Sequence, residues 1–166
     1  MAYFGDVERI ASISRAIAAG RQGVNPELID LLALFSGQEK WVERMGHGSR
    51  TEIFLRSQGV SPGTIRSLFR GLPRLDRSPA TPEEEIVHDA LRIDAMGSVG
   101  VARLAQQGYR ERLSFEEMAA RIEEASRSPL KTAAGESLAA TRREAMRDFA
   151  RRLLEEREEF SSDDAR

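Results

Sequence analysis

Glu85-Ile86-Val87-His88-Asp89-Ala90-Leu91-Arg92-Ile93-Asp94-Ala95-Met96-Gly97-Ser98-Val99-Gly100-Val101-Ala102-Arg103 is the stretch whose reading decides the fold. It follows Thr81-Pro82-Glu83-Glu84, the strongest helix start in the chain. Threonine is an N-cap residue, proline suits the first helical position, and a glutamate three residues on can close a capping box. The pattern predicts a helix running past Ala102. Within it Gly97, Ser98 and Gly100 remove side-chain bulk. Each helical glycine costs about 1 kcal/mol relative to alanine, so the cluster implies close approach by another helix or a kink.

The flanking sequence has the same periodicity. Val7, Ile10, Ala11, Ile13 and Ile17 recur mostly three and four apart and predict an amphipathic helix over 7–19, closed near Gly20. Asn25-Pro26 opens a second helix, which Leu28, Ile29, Leu31, Leu32, Leu34 and Phe35 make apolar nearly all round, as expected of a central core helix. Ser36-Gly37-Gln38 breaks it. A third helix is expected to start near His47 or Ser49 and to carry Ile53, Phe54 and Leu55 up to Gly59. Ser61-Pro62 restarts the pattern with Ile65, Leu68 and Phe69 as buried face, and 71–80 reads as a loop. Downstream, Ser114 and Glu117 form a second capping box for a helix to about Ala125. A last helix from Gly135 or Glu136 to Phe160 has Leu138, Met146, Phe149, Leu153 and Leu154 at near-heptad spacing. No strand pattern or repeat occurs, so the predicted fold is all-α, about seven helices in one domain over 1–160, with 161–166 a disordered tail.

Composition narrows the chemistry. The 166 residues hold no Cys and 2 His, which removes disulfides, thiolate zinc sites, iron–sulfur clusters and cysteine nucleophiles. No basic stretch leads into an apolar run at the start, and no 18 uncharged apolar residues follow one another, so the expectation is a soluble cytoplasmic chain. A net charge of −2 supplies no long-range attraction to nucleic acid or to an anionic membrane, although a local basic stripe is compatible with it. Ser36, Ser98 and Thr132 have no readable base partner. Glu83-Glu84-Glu85 diverge around a helix axis and suit the helix dipole better than a cation. Trp41 falls in an irregular connection, as a roof over the core or a pocket wall.

The 85–103 run resembles the characteristic helix of small bacterial HD-domain phosphohydrolases, which reads approximately K-I-V-Q-D-A-D-R-L-D-A-I-G-A-I-G-I-A-R. Leu130-Lys131-Thr132, Gly135, Leu138-Ala139, Arg142 or Arg143, Met146 and Phe149 resemble the family's last helix and the approach to it, and Gly46-His47 resembles a Gly-His element there. The resemblance implies an all-α HD-like bundle. The family's chemistry needs imidazoles and carboxylates around one or two divalent cations that activate water. This chain departs from that pattern. Gly5 to Arg9 lack the first His, Phe35-Ser36-Gly37 replace the His-Asp pair, and Phe69-Arg70-Gly71-Leu72 lack a further His. Of the Asp-Ala-Asp triplet Asp89 remains and Leu91 replaces the second aspartate; which of the two positions carries the metal is left open. His88-Asp89 lies on the later helix, not at the position of the family's pair, and adjacent helical residues point about 100° apart.

The resemblance therefore implies a degenerate HD domain without metal or cofactor, a pseudo-phosphohydrolase that binds a small anionic ligand or a partner protein through the former cleft. The alternatives are metal-independent chemistry in that cleft and, behind it, conventional metal-dependent hydrolysis. Candidate acid–base residues are His47, Asp89 and Asp94, and candidate ligand contacts are His47, His88, Asp89, Arg92 and Arg142. Each has a structural reading too. His88 suits a hydrogen-bonded place at a helix surface, His47 a partly exposed helix start, and Asp94 an ion pair with Arg92, Arg103 or Arg142. Arg142 and Arg143 bind an anion only if they face a cleft and are otherwise solvated. The expected state is monomer or homodimer, the last helix packing internally.

Overall fold

A computed structural model describes residues 4–38 and 49–161, and every regular element among them is helical. The described residues form eight α-helices and one short 3₁₀ turn: α1 Phe4–Ala18, α2 Pro26–Phe35, α3 Arg50–Ser57, α4 Pro62–Gly71, the turn Leu72–Arg74, α5 Pro82–Asp94, α6 Gly97–Glu111, α7 Phe115–Ser126 and α8 Ala133–Ser161. His47 and Trp41 lie outside the described residues, as does the expected tail beyond Ser161, which is itself the last residue of α8. No described helix is long and apolar enough to cross a membrane.

The helix starts follow their cap residues. Asn25 Oδ1 accepts from Leu28 N–H at 3.2 Å, Ser49 Oγ from Glu52 N–H at 3.1 Å, and Ser61 Oγ from Thr64 N–H at 3.1 Å. Each bond satisfies one of the N–H groups that a helix start leaves without a partner. The Ser114–Glu117 capping box is complete, with bonds of 3.2 and 2.7 Å. Thr132 Oγ1 accepts from Gly135 N–H at 2.9 Å, so α8 begins at Ala133, ahead of the expected start.

The eighth helix comes from a break that periodicity did not give. Where one helix was expected past Ala102, α5 stops at Asp94, Met96 is extended, and Gly97 adopts φ +71° to open α6. An L side chain is strained in that conformation, so the glycine fits it. A Cβ on Gly100 would lie 2.0 Å from the Ala95 carbonyl oxygen, which fixes the second glycine as well. The expected kink is thus a full helix boundary.

The contacts divide the chain into two compact units, 1–91 and 92–166, and the boundary falls within α5. In the first, α1 packs on α2 and α2 on α4, burying Ile17, Ile29, Leu32, Ile65 and Leu68. The region expected as loop after α4 contributes Leu72 and Leu75 to this core. Leu34 is exposed, so α2 is apolar all round in sequence but not buried all round. In α3, Leu55 is buried while Ile53 and Phe54 face solvent. In the second unit, α7 lies along α8 and α6 packs on both, around Ile122, Ala139 and Met146. The near-heptad set of α8 is split: Met146 is fully buried, whereas Leu138 and Phe149 are 43% and 42% exposed.

Candidate functional site on α5

The first three turns of α5 hold three buried ionisable side chains: Glu84, His88 and Asp89. Positions 84 and 88 share a helix face, and that face meets the turn after α4. His88 is 5% exposed and its Nδ1 lies 2.6 Å from the Leu75 carbonyl oxygen. A carbonyl only accepts, so Nδ1 carries the proton and donates. Instead of the expected helix-surface position, His88 occupies the interior and is tied to the backbone of its own unit. One turn earlier Glu84 is 2% exposed; it forms an ion pair with Arg74, and its Oε2 accepts from Ala80 N–H at 2.8 Å. Its backbone N–H donates to Thr81 Oγ1 at 3.4 Å, but the carboxylate does not return to the cap residue. The expected capping box is therefore half formed. The Arg74–Glu84 pair was not anticipated from sequence, and the legible clue was the four-residue spacing from Glu84 to His88.

Asp89 is completely buried and makes polar interactions within the protein. Arg92, half-buried on the same helix, is likewise engaged. Asp94 is buried and accepts from Arg103 Nη1 at 2.8 Å, one of the three partners expected for it. Arg142 differs from the anion-binding reading: its Nη1 donates to the Ile93 carbonyl at 2.9 Å, and its aliphatic stem packs where Gly97 has no side chain. It caps the end of α5. Arg143 similarly donates to the Ser128 carbonyl at 2.7 Å and pairs with Glu136.

A divalent cation needs several imidazole or carboxylate donors converging on one point. Among the described residues no group of three or more His, Cys, Asp or Glu is placed to hold one. At the end of α2, where the resembled family has its His-Asp pair, Ser36 is buried and its hydroxyl donates to the Ala33 carbonyl at 2.8 Å. That oxygen serves its own helix. The described donors do not converge on one metal position.

No family model matches the chain, and no curated protein matches it either. Solved structures do. The Lin1889 protein of Listeria innocua superposes with a TM-score of 0.74 at 20% identity, over 93% of this chain and 87% of that one. A protein of Bacillus thuringiensis described as an HD-superfamily hydrolase gives a TM-score of 0.69 at 18% identity, over 92% and 84%. Bacillus subtilis YpgQ in complex with ADP gives 0.67 at 19% identity, over 91% and 87%. The chain shares its all-helical fold with these proteins, one of which is described as an HD-superfamily hydrolase. At this level of identity the likeness shows the fold alone, so function rests on the site.

Proposed function

We propose that residues 1–160 act as one HD-fold domain that has given up metal-dependent hydrolysis. It binds a small anionic ligand or a partner protein through the space bounded by α2, α3 and α5. The observation that carries this reading is His88, the single histidine among the described residues, buried and bonded to the Leu75 carbonyl. Ser36 bonded to its own helix, Leu91 in place of one aspartate of the triplet, and the lack of any group of three or more donors among the described residues support this reading, with Asp89 retained. The ADP bound by YpgQ, on the same fold, supports a nucleotide-like anion as ligand class. Asp89 and Arg92 are its proposed contacts, with His47 from outside the described residues. Asp94 serves less well as an acid–base group, because Arg103 already occupies its carboxylate.

The test joins metal analysis with turnover and binding. Purified full-length protein is expected to carry substoichiometric Mn, Fe and Ni, to leave ADP and a phosphomonoester intact, and to bind ADP in a calorimetric titration. Arg92→Gln is expected to weaken that binding. Stoichiometric metal together with hydrolysis overturns the proposal.

A further inference from the structure

An aromatic ring left in water forgoes a large apolar burial. Tyr109, in the last turn of α6, is 86% exposed, more than any other large hydrophobic side chain among the described residues. The backbone beneath it is fixed. Leu113 N–H donates to the Gly108 carbonyl at 3.0 Å, and Gly108 lies tight against Met118 of α7. Tyr109 therefore projects from a packed helix end, not from a frayed one. The same face of α6 also holds a recess. Ala102, Ala105 and Tyr109 follow one another at three- and four-residue spacing, which keeps them on one face. The two alanines, with Val101 of α6 and Ala145 and Phe149 of α8, line an almost wholly apolar groove of about 420 Å³.

A projection and a recess that share one rigid face cannot fill each other within one molecule, but they can between two. In a two-fold pair every contact occurs twice, so the tyrosine of each copy can occupy the groove of the other. Charge at the rim favours the same occupant. Beyond Ala145 and Phe149 the same stripe of α8 continues to Arg152 and Glu156, both exposed and without an ion pair among the described residues. A polyanion meets a like charge at Glu156 and a polycation meets one at Arg152. A second copy brings both signs to the rim and an apolar centre with an aromatic anchor, the composition of a protein–protein interface.

We propose that the face formed by α6 and α8 pairs with a second copy of this chain, Tyr109 of each copy entering the groove of the other. The pairing stands or falls independently of the ligand reading for the former cleft. The experiment is sedimentation equilibrium on the full-length protein, with circular dichroism checking that each variant is folded. A monomer–dimer equilibrium is expected, weakened at least about tenfold by Tyr109→Ala, which removes an anchor from both halves of the interface. Ala102→Glu, at an exposed position of the groove wall, is expected to weaken it as strongly by bringing a carboxylate into apolar surroundings. Mixed together, these two variants regain one tyrosine-in-groove contact per heterodimer and should associate more tightly than either alone. Phe115→Ala, which removes an exposed aromatic from α7, is expected to change nothing. A strict monomer at about 100 μM overturns the proposal. So does a dimer indifferent to Tyr109→Ala and Ala102→Glu, equal weakening by Phe115→Ala, or a mixture no tighter than its components. A monomer that takes up an apolar dye, and loses it on Ala102→Glu, marks the groove as a small-molecule site and also overturns the pairing.

Discussion

The two units bury their polar groups in different ways. In 1–91 two buried ionisable groups of short reach, Glu84 and His88, each bond to backbone of the segment between α4 and α5. In 92–166 long arginines bring charge to backbone carbonyls, Arg142 to Ile93 and Arg143 to Ser128, the stem of Arg142 packing beside Gly97. A short enclosed group cannot regain water when its partner is removed, whereas a partner left by an arginine at a helix end can be hydrated. The difference teaches where the structure tolerates loss. The least replaceable polar contacts of the first unit lie on the first turns of α5.

Truncation of Glu84 should break this contrast most sharply. Glu84→Ala leaves the Ala80 N–H unmet and Arg74 unpaired, and should cost about 3 kcal/mol in denaturant unfolding, the low end for a broken buried pair because Arg74 is partly solvated. A matched pair of glycine substitutions comes next. Gly100→Ala drives a Cβ into the Ala95 carbonyl and should cost about 2 kcal/mol, whereas Gly63→Ala, with only Ser61 Oγ at 3.6 Å, should be neutral or stabilise α4 by up to about 1 kcal/mol. Opposite signs for one chemical change would sharpen the comparison; equal signs would refute the packing described for the α5–α6 break. His88→Leu should lose about 1–2 kcal/mol through the unmet Leu75 carbonyl. Arg142→Met, which keeps the stem against Gly97, should lose about 1 kcal/mol, with faster hydrogen exchange confined to the end of α5 and the start of α6.

The smallest effect is a pH dependence in the second unit. Hydrogen bonds from Arg121, and then from Gln107, hold the Glu111 carboxyl below its ordinary range. Its folded value is thus lower than its unfolded one. The stabilisation is present above the unfolded value and is lost as pH falls through the folded one. Glu111→Gln should flatten the acid side of the stability profile slightly, the slightness following from an exposed side chain.

Much of the architecture was legible because helix starts are encoded locally. Asn25-Pro26, Ser61-Pro62 and the Ser114–Glu117 box each need only residues within one turn, and each opens a helix where it was read. The break at 95–97 was half legible. Glycines signal that bulk is excluded, but whether the chain bends or stops depends on what satisfies the last carbonyls, and Arg142, forty-nine residues away, joins the Met96 N–H on the Ile93 carbonyl. The candidate site was legible as a set of positions and less so as a set of roles. His88 and Asp89 are visible in sequence, but His88 is enclosed against the turn that Leu72 and Leu75 build into the core, a segment whose two prolines and sparse apolar residues read as loop. Arg142 was read as a possible anion contact because a helix presents an arginine to whatever lies opposite, and only the fold shows that a carbonyl lies there.

Taken alone, the order of residues determined that the chain is helical and where most of its helices begin. These depend on side-chain identity and on bonds spanning three or four positions. The folded chain decided which ionisable groups are enclosed and what each one bonds, from His88 on Leu75 to Arg142 on Ile93. Those outcomes belong to pairs distant along the chain, and no local pattern carries the distance between them.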